Sequence, residues 1–160
     1  MDQVIDETTE NVVLGGLILN PNEYRTIAQY IPELDVFSQK KAKALWIKVS
    51  KMIKKGEHVD TLTICSSITS DESLGGISKG YVVDCTSDAC GQAMLEVYAQ
   101  KIYEKYLIRK IVDETQSIKS GVINHGEDVY ELITNTHTLM GELIRVRPGD
   151  KFSIEDALDE

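Results

Sequence analysis

The sequence predicts an all-α protein: a small multi-helix globular head followed by a long antiparallel helical hairpin. Three observations carry this. Apolar residues recur at helical spacing through most of the 160 residues. The one β-branched run, "YVVDC", has no alternating partner with which to pair. From Gln92 to Gly121 the chain contains no breaker, which makes roughly 40 Å of helix at about 1.5 Å per residue, and a second long periodic run follows it.

The elements can be taken in order. "TTENVVLGGLILN" opens as a helix with Thr8 or Thr9 as cap and Glu10 in the first turn, where its charge suits the helix dipole. Gly15 and Gly16 each cost about 1 kcal/mol against Ala in a helix interior, so the pair predicts close approach of another backbone, or a break. "NPNEY" punctuates, and a short second helix spans about Glu23 to Tyr30, ended by Pro32. Phe37 is a predicted core plug. Ser38 is the expected cap of a third helix, "KKAKALWIKVSKMIKK", which ends before Gly56. Asp60 or Thr61 caps a fourth, and "YVVDC" is expected as a short buried helix over Ser78 to Thr86.

The long stretch "YAQKIYEKYLIRKIVDE" carries more apolar residues than one buried stripe needs. After "GVINHGED", with Glu127 and Asp128 at the opening of the last helix, Val129, Leu132, Ile133, Thr136, Leu139, Met140, Leu143 and Ile144 recur at 3,4 spacing, as along a helix–helix seam. A short connection between two long helices predicts an antiparallel hairpin. The division is then a head over 1–91, a hairpin over 92–146, and a linker over 147–160 in which "FSIEDALDE" begins another helix. The surplus apolar face either meets a second copy or another protein, or folds back over the head. The pattern leaves both open.

Composition narrows the function. The net charge of −9 argues against a stand-alone nucleic-acid binder, and the lysines from Lys40 to Lys55 read first as the solvated face of an amphipathic helix. Three cysteines without a secretory segment fit a reduced, cytoplasmic protein, and no apolar run approaches a membrane span. His58, His125 and His137 have no metal-ligand spacing, and no nucleotide loop, zinc-protease motif, calcium loop or nucleophile elbow occurs. The residues therefore predict no catalytic, cofactor or metal site.

Taken together, "ENVVLGGLILNPNEY", "LDVFSQKKAKALWIKVSKMIKKGEHVDTLTI", "LGGISKGYVVDC", "VYAQKIYEKYLIRKIVDE" and "GEDVYELI" resemble, in order and spacing, the N-terminal domain of DnaB-type replicative DNA helicases of bacteria or phages. "CTSDACG" departs from the family's usual turn before the long helix. The resemblance implies a non-catalytic scaffold. Hairpins pair between subunits, the pairs build a threefold collar (a trimer of dimers in a hexamer), and primase and a helicase loader dock there. It implies weak or absent DNA contact by this domain, and ATP and magnesium only for a motor part. Tyr103, Tyr106, Ile108, Arg109, Ile111, Val129, Ile133, Leu139, Met140 and Leu143 are the expected hairpin interface, with Arg109 and Lys110 placed to meet acids of a partner. The competing reading is a free-standing phage or plasmid replication accessory protein, a helicase loader or modulator, using the same fold to bind a helicase.

Overall fold

The computed structural model describes residues 6–70, 72, 75–123 and 129–145, with the backbone alone for 121–123, 132, 139 and 142–145. Its helices are α1 (Glu7–Leu19), α2 (Tyr24–Ala28), α3 (Lys40–Lys54), α4 (Thr61–Ser66), α5 (Lys79–Ser87), α6 (Gln92–Ile123) and α7 (Val129–Arg145), with 3-10 turns at Pro21–Glu23 and Leu34–Val36. No strand occurs among the described residues, and "YVVDC" is helical, as expected. The chain divides into two compact units, Met1–Lys110 and Ile111–Glu160. The expected turn at 124–128, with Glu127 and Asp128, and the expected linker and tail helix at 146–160 lie outside the described residues.

In the first unit α1 packs along α5 and α3, and α4 packs on α5. Leu14, Leu17, Phe37, Leu45 and Ile64 are fully buried. Trp46 sits with its ring centroid 5.7 Å from both Tyr24 and Phe37, so the predicted plug, fully buried, packs on α3. The unit extends past residue 91 because Leu95, Ala99, Ile102, Tyr103 and Tyr106 of α6 belong to the same core.

The helix ends show where local chemistry decides. Asp6, not Thr8 or Thr9, caps α1: its carboxylate accepts from the Thr9 N–H at 3.0 Å and the Thr9 hydroxyl at 2.7 Å. Asp60 caps α4 by accepting from the Thr63 N–H at 2.6 Å, and Ser78 caps α5 through the Tyr81 N–H. Helix α3 ends on Gly56 at φ 70°, with the Gly56 N–H on Ile53 and the Glu57 N–H on Met52, a Schellman-type stop that the left-handed glycine permits.

Ser38 does not cap α3. Glu10, only 2% exposed, reaches across from α1 and accepts from the Ser38 N–H at 2.7 Å, the Ser38 hydroxyl at 2.6 Å and the Gln39 N–H at 3.4 Å. A carboxylate from one helix thus completes the N-terminus of another, where negative charge is favoured. Removing it leaves three part-buried donors without this acceptor. Glu10→Ala is expected to cost about 3 kcal/mol in urea denaturation; a loss under about 1 kcal/mol would show the bonds to be dispensable.

Four carboxyls among the described residues are held below their ordinary values, Asp35 first by its hydrogen bond from the Lys43 ammonium. Asp6 is lowered first by the Thr9 hydroxyl, and Asp60 first by the Thr63 N–H. For Glu72 burial pushes upward, but the Lys48 ammonium and the Thr69 backbone outweigh it. The Lys48 side chain is 9% exposed and meets Glu72 at 2.8 Å. Because these groups bind protons more tightly unfolded than folded, their stabilisation is complete above the ordinary carboxyl values of 3.8 and 4.5 and is lost as pH falls through the folded values. The denaturation midpoint is expected to be flat near neutrality and to fall below about pH 4. A midpoint unchanged down to about pH 3 would contradict the assignment.

Candidate assembly surface on the long helices

Helix α6 has 32 residues, about 48 Å at about 1.5 Å per residue. Its inner stripe, Leu95, Ala99, Ile102 and Tyr106, repeats at 4,3,4 and is buried in the head. A second stripe lies on the opposite side at about 3.6 residues per turn: Met94, Val97, Lys101, Glu104, Ile108 and Ile111, repeating at 3,4,3,4,3. Its four apolar members are 46%, 42%, 44% and 42% exposed. One helix therefore carries two interleaved seams, and only the inner one is filled by the head.

The expected interface residues separate accordingly. Tyr103 and Tyr106 are 2% and 5% exposed, with ring centroids 5.9 Å apart. Their surface is spent in the core. Arg109 is likewise engaged within the head: its guanidinium donates to the carbonyls of Asp35 and Val36, both at 2.8 Å. Lys110 pairs with Glu33 at 2.8 Å. Arg109 and Lys110 thus pin α6 to the 3-10 turn before Phe37, a use the sequence reading did not anticipate. Ile108 and Ile111 remain open. Met94 and Val97 were missed, although their spacing to Ile108 and Ile111 is visible as a second heptad register two residues on from the buried one.

In the second unit, Val129, Ile133 and Met140 share one face of α7 with Thr136, and are 64%, 58% and 37% exposed. Tyr130 flanks them at 80%. Exposed apolar residues at regular helical spacing mark a protein-contact face more than a solvated one. The side chains of Leu139 and Leu143 lie outside the described residues.

Reactive side chains are placed for structure. Cys85 is buried between α1 and α5, and burial pushes its thiol up to about 11. Burial, and then the neighbouring Cys85, also raises the Tyr81 hydroxyl, which donates to the Asn11 side chain at 2.9 Å. His58 bonds the capping Asp60 at 2.8 Å. His137 is exposed on α7, and His125 lies outside the described residues. Among the described residues, no group of three or more His, Cys, Asp or Glu stands together as metal ligands, and no helix is long and apolar enough to cross a membrane.

Against known proteins, the sequence model of the DnaB-like helicase N terminal domain matches residues 3–104. The chain is 25% identical over 153 residues to the replicative DNA helicase DnaC of Bacillus subtilis, covering 93% of this chain and 33% of that protein. It is 25% identical over 126 residues to the replicative DNA helicase DnaB of Buchnera aphidicola, covering 78% and 27%. The chain thus spans about a third of the length of the curated relatives it matches. The crystal structure of the N-terminal domain of the Mycobacterium tuberculosis DnaB helicase superposes with a TM-score of 0.75 at 18% identity, over 87% of this chain and 97% of that one. A structure described as a DnaB-like replicative helicase and its interactions with primase gives 0.62 at 19%, over 91% and 32%.

Proposed function

Because the chain belongs to the DnaB-like helicase N-terminal domain family, and is its non-catalytic part, we propose that it is the assembly and docking scaffold of a hexameric replicative helicase. Copies pair through the outer stripe of α6 and the Val129–Ile133–Met140 face of α7. Pairs build a collar as a trimer of dimers, and primase and a loader are recruited there. The carrying observation is the apolar surface left exposed at helical spacing on both long helices. That a fold-mate was solved with its interactions with primase supports primase as the second partner. On this reading the domain works in the cytoplasm, uses no cofactor of its own and contacts DNA weakly or not at all, leaving ATP, magnesium and unwinding to the motor part.

The test is the solution mass of the chain by light scattering across a concentration series, beside Ile133→Asp. Ile133 is more than half exposed, so the substitution is expected to leave helicity and denaturation midpoint unchanged. A dimer or larger species is expected for the natural sequence, with association at least about tenfold weaker for the variant, as burying an unpaired carboxylate in a dry seam demands. A monomer at every concentration, or a folded variant of unchanged mass, refutes pairing through this face.

A further inference from the structure

The head carries an open groove of about 560 Å³ between α2, the Ile31–Leu34 segment and the C-terminal half of α3. Its floor is apolar: Tyr24, Ile31, Pro32 and Trp46, with Leu34 39% and Ile47 49% exposed. One edge is basic, formed by Lys51, Lys54 and Lys55.

The six lysines from Lys41 to Lys55 divide into two groups. Lys41 lies over the Tyr81 ring at 4.6 Å, Lys43 pairs with Asp35 at 2.5 Å, and Lys48 is sealed against Glu72. Those on the groove edge are far less committed. Lys51 makes no ion pair among the described residues, Lys54 only overlies Tyr24 at 5.9 Å, and Lys55 meets Glu57 at 3.5 Å with both side chains about half exposed. The one acid lining the groove, Glu33, is already held by Lys110. Ser50, 7% exposed, also lines the groove, and its hydroxyl has no partner among the described residues.

We propose that this groove docks an acidic amphipathic helix of a partner protein. Ile47, Lys51, Lys54 and Lys55 follow one another at i, i+4, i+7 and i+8, a straight ridge of about 12 Å at about 1.5 Å per residue. A helix laid beside that ridge sets apolar side chains at i, i+3 and i+4 on Ile47, Leu34 and Trp46 and runs its carboxylates along the lysines. An apolar floor gives nothing to a phosphate backbone, so nucleic acid fits less well. A second copy fits less well because the exposed stripe of α6 mixes Lys101 with Glu104 and offers no continuous acidic edge. The inference stands apart from copy pairing, since no groove residue belongs to α6 or α7.

The experiment titrates the full chain into a fluorescein-labelled amphipathic helical peptide with a leucine stripe and glutamate flanks, beside the same peptide with lysine flanks. The acidic probe is expected to bind saturably and the lysine probe at least about tenfold more weakly, as charge complementarity requires. Ile47→Glu, and separately the double variant Lys51→Glu/Lys54→Glu, should each weaken acidic-probe binding at least about tenfold. Both change exposed positions, and an unchanged denaturation midpoint confirms folding. Absent binding, equal binding of the two probes, or full binding by the folded variants overturns the proposal. So does a single-stranded oligonucleotide that binds and is lost in the same variants, which would make the groove a phosphate site. A shift of the free chain's mass in the variants would instead make it a contact between copies.

Discussion

Gly15→Ala is expected to cost on the order of 4 kcal/mol, the range of the most disruptive single substitutions, and to lower the thermal midpoint by roughly 10 °C. A Cβ built at Gly15 falls 1.8 Å from the Cys85 carbonyl oxygen, 2.4 Å from its carbon and 3.0 Å from the Thr86 nitrogen. All three are backbone atoms, so no rotamer relieves the clash. Helix α1 must lift off α5, opening the core around Leu14, Leu17 and Val82, which are fully buried. Against this, alanine returns only about 1 kcal/mol of helix propensity. Gly16 is the internal control. Its added Cβ meets the Leu95 side-chain end at 2.6 Å, and a side chain can turn where a carbonyl cannot. Gly16→Ala should therefore cost less, about 1–3 kcal/mol as ordinary overpacking. Thermal and urea denaturation of both variants check the order, and equal costs would mean that α1 and α5 are not held at backbone contact.

The contrast between these glycines shows what can be read from a chain without its structure. Two glycines inside an apolar helical run announce a close approach, but not to what, because the partner carbonyl is some seventy positions away and carries no side-chain signal. Periodicity fared similarly. It placed every long helix and singled out Phe37, because burying an apolar stripe is a local pattern with a global consequence. It could not say that Lys48 is buried, since only the fold brings Glu72 and the Ser67 carbonyl to its ammonium, both at about 2.9 Å. Nor could it show that Ile47, on the same helix, is left outside. Capping was half legible for the same reason. Asp60, which the sequence named, lies three positions before the amide it binds, whereas the N-terminus of α3 is completed by Glu10 from another helix. On α6 both seams are written in the sequence, two residues out of register. Read as a single surplus, they put Tyr103 and Tyr106 in one set with Ile108 and Ile111 without separating core from contact; in the fold the two tyrosines lie in the core of the head.

That distinction gives the second large effect. Tyr106→Ala is expected to destabilise the head by about 3–4 kcal/mol, as large aromatic truncations do. It removes a ring that packs on Tyr103 and carries Arg109 and Lys110 over its face at 6.0 and 5.1 Å. Those cations also pin α6 to the turn at Leu34–Val36, so the damage should spread to the N-terminal side of α3. Ile108→Asp, two positions on, points the opposite way. Ile108 is 44% exposed, and aspartate costs under about 1 kcal/mol of helix propensity, so the head should keep its midpoint. If the outer stripe is a seam between copies, however, the same substitution places a carboxylate in it, and association should weaken at least about tenfold. Urea denaturation and light scattering on both variants yield a two-by-two result. Stability lost at Tyr106 and association lost at Ile108 is the signature of a helix with two separately employed faces. Association lost at Tyr106 with the head still folded, or stability lost at Ile108 with mass unchanged, would place the functional surface on the inner face and remove the outer stripe from the pairing scheme.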